Sequence, residues 1–277
     1  MTVNELKKFA TDVRIETVKC LEARTFGHIG GCLSIADVLT VLYNGELKNI
    51  DPEDPKKPDR DMLVVSKGHA GPAVFATLAL KGYFPLDWLP TLCEGGTRLP
   101  SHCDRIRTPG IDASTGSLGQ GLSLANGFAH AAKIKNMKNR IYCLMGDGEI
   151  QEGQIWEAAM YAHQYKLNNL VGIVDWNKKQ IDGTIDECIS LLDIAEKFRA
   201  FGWYAVTVKG DDIEAIQDAF RQIRENQSDK PGVLVLDGVK GSGVKCIEKM
   251  KFNHMIPVDK ELADQCLAEL ETVKNSL

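Results

Sequence analysis

No other stretch constrains this chain as much as Arg140 to Asn177, which reads as strand, abrupt turn, helix and second strand. After its first residue, Arg140-Ile141-Tyr142-Cys143-Leu144-Met145 is continuously apolar, as a strand buried in a parallel sheet is, and Gly146-Asp147-Gly148 ends it. From Gly153 to Tyr165 the spacing is helical, with Ile155, Ala158, Ala159 and Ala162 on one side and Glu157 and Gln164 outside. Leu170-Val171-Gly172-Ile173-Val174 follows and reaches Asp175 and Asn177.

Two parallel strands joined in this way finish on the same sheet edge, so Asp147 and Asn177 converge although many residues separate them. One carboxylate oxygen and one amide oxygen suit a hard cation such as magnesium, leaving positions for water, a backbone carbonyl and phosphate. Gly146 and Gly148 let the backbone approach phosphate groups closely. An ordinary strand-ending turn is the plain alternative, because Gly-Asp-Gly alone is a weak motif. The Asn at the end of the next strand favours the clamp.

Gly-Asp-Gly followed by just under thirty residues and an Asn resembles the thiamine-diphosphate signature. Gly27-His28, Ser66-Lys67-Gly68-His69, His102 and Thr115-Gly116-Ser117-Leu118-Gly119-Gln120-Gly121 stand in the order found in the amino-terminal third of transketolases, and the similarity runs over nearly the whole chain. The resemblance implies an α/β fold, a mostly parallel sheet flanked by helices on both faces, with residues 1–277 forming a single diphosphate- and metal-binding domain. It implies thiamine diphosphate held by His69, Gly116, Ser117, Leu118, Gly146, Asp147, Gly148, Asn177, Lys240 and His254. The metal would be magnesium, with calcium or manganese as substitutes, on Asp147, Asn177 and the backbone carbonyl of Lys179. His28, His69, His102 and His254 would be the catalytic histidines, steadying hydroxyls and moving protons as groups that titrate near neutrality. Two departures from the usual pattern stand out: Ile29 where many members have proline after the histidine, and Ser117 where many have proline. Glu152 and Glu157 match acidic positions that in the family face the twofold-related site, and a solvated helix face explains them equally well.

Composition narrows the rest. A net charge of -5 gives no electrostatic reason to expect nucleic acid, and no apolar run is long enough for a bilayer. Met1 to Lys8 lacks a signal peptide's apolar core, and the eight cysteines are scattered without a Cys-x-x-Cys pair, which points to reduced thiols in cytoplasm. His102-Cys103 has no second ligand cluster to make it a metal site.

Along the chain, Val3 to Arg24 reads as one long helix, with Ile15 and Val18 off its main apolar stripe and hence covered on more than one side. Ser34-Ile35-Ala36-Asp37 has a capping pattern for the next helix. Asn49 to Asp61 reads as a solvated loop, and Asp61 to Val65 as a strand delivering Ser66-Lys67-Gly68-His69 to a sheet edge ahead of the apolar helix Pro72 to Leu80. Arg98 to Ile111 is irregular and precedes the glycine loop and the helix Leu122 to Lys133. Phe201 to Lys209, Ile213 to Ile223 and Gly232 to Asp237 read as strand, helix, strand, and Asp259 to Val273 as an amphipathic helix.

The family's cofactor chemistry also needs a glutamate against the pyrimidine ring and an aromatic shelf, which transketolases carry on a further domain beyond the span matched here. The expected reading is therefore a complete amino-terminal subunit, ending in a polar Lys-Asn-Ser-Leu tail. It would work with a carboxy-terminal subunit that supplies the glutamate, in an α2β2 assembly, and move a two-carbon ketol unit between sugars or sugar phosphates, as in pentose phosphate chemistry. The alternatives are another thiamine-diphosphate enzyme, either 1-deoxyxylulose-5-phosphate synthase or a 2-oxo-acid dehydrogenase component, and a catalytically idle regulatory chain.

Overall fold

The computed structural model describes residues 1–225 and 228–277. Its strands are β1 (Phe26–Gly27), β2 (Met62–Val65), β3 (Ile141–Gly146), β4 (Leu170–Trp176), β5 (Tyr204–Lys209), β6 (Gly232–Asp237) and β7 (Ile256–Pro257). Five of them form one sheet in the order β2-β3-β4-β6-β5, every neighbouring pair parallel. β1 and β7 make a small antiparallel pair beside it.

Period-two alternation sorts the strand side chains onto two faces. Leu63, Val65, Tyr142, Leu144, Val171, Ile173, Leu234 and Leu236 pack with the helices Val3–Glu22, Gly71–Leu80 and Ile213–Glu225. Ile141, Cys143, Met145, Leu170, Val174, Val233 and Val235 pack with the helices Gly121–Ile134, Gly153–Gln164 and Ile194–Ala200. Both faces are thus covered, which is why β3 and β4 carry no alternating polar residues.

The first helix is capped by Thr2, whose side chain accepts from the Glu5 amide while Glu5 accepts from the Thr2 amide. It is buried on more than one side, as its off-stripe residues require: Ile15 and Val18 join the main core and Val13 packs with Ala36 and Ala76. Two expectations are corrected. Ser34 does not cap the next helix; Ile35 stands at the cap of Ala36–Val41, and the Ser34 hydroxyl donates to Asp175 Oδ2 at 2.8 Å. The last edge strand begins at Tyr204 and not at Phe201, because Gly202 turns the chain at φ 84° and Trp203 is buried beside Phe198. Among the described residues no helix is long and apolar enough to cross a membrane.

Candidate functional site

The carboxyl ends of four adjacent strands open into one cavity. Lys67 reaches it from beyond β2, Gly146, Asp147, Gly148 and Glu149 from β3, Asn177 and Lys179 from β4, and Lys240 from β6. His69, Leu118 and His254 also line it, as do residues 180–182. Parallel pairing of Gly146 with Asp175 sets the register that brings Asp147 and Asn177 to the same edge.

Asp147 is 3% exposed. Its Oδ1 accepts from the Gly148 amide at 2.8 Å and its Oδ2 from the Lys178 amide at 2.6 Å. Burial, then the charge of Asp175, pushes this carboxyl up to about 7. Asn177 is oriented by its own strand: its Nδ2 donates to Asp175 Oδ2 at 2.8 Å, which leaves Oδ1 as the free face of the amide, touched only by the Lys179 amide at 3.2 Å. The Lys179 carbonyl already receives a cation, the Lys240 ammonium, at 2.8 Å. A buried carboxylate lacking full compensation, an oriented amide oxygen and a carbonyl that attracts positive charge are a donor set that fits a hard divalent cation. The Lys179 side chain points away, donating to Met250 O at 2.8 Å, so its charge does not compete there. Among the described residues no cluster of three or more His, Cys, Asp or Glu side chains offers a different metal site.

Three buried charged residues organise this edge, and sequence reasoning gave none of them a role. Lys67 and Asp175 pair at 2.5 Å with side chains 1% and 2% exposed. Glu149 Oε1 accepts from Ser66 Oγ and from the Gly119 amide at 2.9 Å, and its Oε2 accepts from the Gly146 amide at 2.9 Å. One carboxylate therefore fixes the ends of β2 and β3 and the glycine loop against one another. The loop itself is too tight for side chains: a Cβ on Gly121 would stand 2.8 Å from the Ser66 Cα. A sequence signal for Lys67, Glu149 and Asp175 existed, namely charge at the ends of strands otherwise apolar on both faces.

The other placements are mixed. Leu118 lines the cavity, while Gly116 lies against the His102 ring and Ser117 is exposed in the same loop outside the cavity wall. Glu152 and Glu157 are exposed, Glu152 beside Gly119 and Glu157 along a groove with Gly127 and Tyr161. Cys103 is buried, and burial pushes its thiol up to about 12, which makes it an inert thiol.

The four candidate histidines form one cluster. The His28 ring lies 5.1 Å from His69, 5.3 Å from His254 and 6.0 Å from His102, and His69 lies 5.0 Å from His254. Lys240 Nζ sits 2.8 Å from His254 Nδ1. An ammonium only donates, so Nδ1 accepts and Nε2 carries the proton. His28, His69 and His254 do not titrate near neutrality. Burial, followed by neighbouring positive charge, brings His28 down to about 4 and His254 to about 3, and pushes His69 down strongly; burial also lowers His102. Each enters chemistry at neutral pH as an imidazole that donates one hydrogen bond and accepts one.

Because the folded-state pKa of His28 lies below its unfolded value near 6.5, the unfolded chain binds more protons between those two values. The stability this contributes is complete above about pH 6.5 and is lost as pH falls toward 4. Thermal unfolding at pH 7 and at pH 4.5 is expected to show a smaller drop in Tm for His28→Gln than for the wild-type chain. Equal drops would show that the ring is not held neutral.

The family sequence model described as "Transketolase, thiamine diphosphate binding domain" matches residues 6–269. The chain belongs to the transketolase family. It is 45% identical over 267 residues to the 6-deoxy-6-sulfo-D-fructose transketolase subunit SqwG of Clostridium sp. (strain MSTE9), covering 96% of each. It is 41% identical over 262 residues to an apulose-4-phosphate transketolase subunit of Phocaeicola vulgatus, covering 94% of this chain and 92% of that one. The solved transketolase of Campylobacter jejuni superposes with a TM-score of 0.90 at 30% identity, over 100% of this chain and 46% of that one. The chain thus matches separate-chain transketolase subunits nearly end to end and less than half of a full-length transketolase.

Proposed function

We propose that this chain is the amino-terminal subunit of a two-chain transketolase that transfers a two-carbon ketol unit from a ketose to an aldose. The observation that carries the reading is the meeting of Asp147, Asn177 and Lys179 with His69 and His254 in one cavity at the carboxyl edge of the sheet, with the His28 ring packed against both histidines. Asp147, Asn177 and the Lys179 carbonyl would hold magnesium, with calcium or manganese as substitutes. Gly146, Gly148 and Leu118, with His69 and His254 as neutral hydrogen-bonding groups, would cradle the diphosphate, Lys240 would supply positive charge, and Gly116 and Ser117 would approach it from the adjoining glycine loop. Thiamine diphosphate, when bound, supplies the carbon that attacks a sugar carbonyl and stabilises the charge left by carbon–carbon cleavage. His28, His69, His102 and His254, held neutral, would orient sugar hydroxyls and pass protons between them.

The glutamate that faces the pyrimidine would come from a carboxy-terminal partner subunit, in an α2β2 assembly. The names of the Clostridium and Phocaeicola relatives specify a sulfosugar and a sugar phosphate. A ketose with an anionic end is accordingly the proposed substrate class. Eight free cysteines fit a reducing compartment such as the cytoplasm.

Co-expression with the carboxy-terminal subunit, followed by an assay of ketol transfer with added thiamine diphosphate and magnesium, tests this reading. Turnover is expected with both chains and to be at least about 100-fold lower with this chain alone, because half of the groups that position the reacting atoms would be absent. Carbon dioxide release from a 2-oxo acid would favour the dehydrogenase-type alternative. Silence of the two chains together would favour an idle regulatory chain.

A further inference from the structure

Away from the cavity, the short helix Lys245–Glu248 packs against the long helix Lys260–Ser276. At that contact Cys246 Sγ stands 3.6 Å from Cys266 Sγ, and among the described residues no other two thiols are in hydrogen-bonding contact. Cys246 is half-buried and reachable from solvent, whereas Cys266 is buried beneath it. The Cys246 amide is held by Glu269 Oε2 at 3.3 Å, which keeps the two sulfurs facing each other across the helix pair. A disulfide needs a sulfur–sulfur distance of about 2.0 Å, so the two side chains have roughly 1.5 Å to close.

We propose that Cys246 and Cys266 are a reversible oxidation site, a dithiol that a hydroperoxide converts to a disulfide. Cys246, the more accessible thiol, reacts first: it gives up its proton, its sulfur attacks the terminal peroxide oxygen, the O–O bond breaks, and the departing alkoxide or hydroxide takes the proton to leave as an alcohol or water. Cys266 sulfur then attacks the Cys246 sulfenic acid, the S–O bond breaks, and water leaves. Two thiols lose two electrons and one peroxide gains them. Burial raises both thiols above their ordinary range, so the reaction is slow at neutral pH and quickens as pH rises.

The bond would close a ring across a sequence separation of 20 residues that contains Asn253 and His254. Asn253 anchors this segment: its Nδ2 donates to Lys240 O at 3.0 Å and Ile247 O at 2.9 Å, and its backbone carbonyl accepts from the Gly30 amide at 3.1 Å. Cross-linking the base of the segment therefore restrains the opening of the loop that carries His254.

The test treats the full chain with hydrogen peroxide at pH 8, blocks remaining thiols by alkylation, and reads the products by peptide mass spectrometry. The expected result is a peptide pair joined through Cys246 and Cys266, lighter than the two peptides by two hydrogen atoms, absent in Cys266→Ser and in Cys246→Ala and reversed by dithiothreitol. Amide exchange across residues 247–258 should slow by about tenfold in the oxidised chain. Cys246 recovered as a sulfinic acid, or both thiols still alkylated after oxidant, would overturn the proposal.

Discussion

Asp147→Asn is expected to lower ketol transfer by the assembled enzyme by about 10²–10³-fold while leaving the chain folded. The asparagine keeps the side chain's shape and one of its two acceptors but removes the charge that would face the cation. In the chain alone that charge is a burden, because burial and the nearby Asp175 push the carboxyl up to about 7. A folded-state value above the unfolded one means that the ionised carboxylate costs stability as pH rises through that interval, and the neutral variant escapes this cost. Against the gain stands one lost acceptor, since both oxygens of Asp147 take backbone amides. The two effects offset, so Tm without metal should move by no more than about 4 °C. Titration calorimetry with magnesium and thiamine diphosphate should show the heat of binding vanish in the same variant. Full affinity in Asp147→Asn would remove the clamp from the mechanism.

Much of this arrangement is legible in the sequence, for a reason that lies in parallel sheets. β3 is apolar along its whole length and β4 from Leu170 to Val174 because helices cover both faces, and a polar residue that follows such a run stands at the sheet edge. The positions of Asp147 and Asn177 follow from that pattern alone. Ser34 is different: its position before a helix reads as a cap, and its true partner is 141 residues away. Phe201-Gly202-Trp203 reads as the start of a strand because aromatic residues favour strands, yet Gly202 is in a left-handed turn there. A Cβ on it would lie 2.3 Å from the His163 ring, and that crowding is a tertiary fact no local pattern carries. The histidines are recognisable by motif, but their neutral state follows from depth of burial beside Lys67 and Lys240. Exposure of Ser117 is likewise a matter of where the glycine loop sits over the cavity.

Removing the cation beneath the site should have the largest effect on the fold itself. Asp175 Oδ2 accepts from Lys67 at 2.5 Å, Ser34 at 2.8 Å and Asn177 at 2.8 Å, and Lys67 also donates to Gly31 O at 2.9 Å. Lys67→Met leaves the carboxylate buried with only neutral donors, a loss expected to cost about 3–5 kcal/mol and to lower Tm by about 5–10 °C. Asp175→Asn strands the ammonium instead and should cost a similar amount, about 3–5 kcal/mol. In the double variant Lys67→Met, Asp175→Asn no charge is stranded. The amide oxygen can still accept from Ser34 and Asn177, and its nitrogen is free to donate to a carbonyl. Chemical denaturation of the four chains makes a closed cycle, and the double variant should be more stable than either single one. Cofactor binding is expected to follow the Asn177 amide: weakened about 10–100-fold in Lys67→Met, where Asp175 is free to shift, and partly restored in the double variant. Additive losses in the cycle would mean that the pair contributes through packing of the two side chains, and that the orientation of Asn177 is set elsewhere.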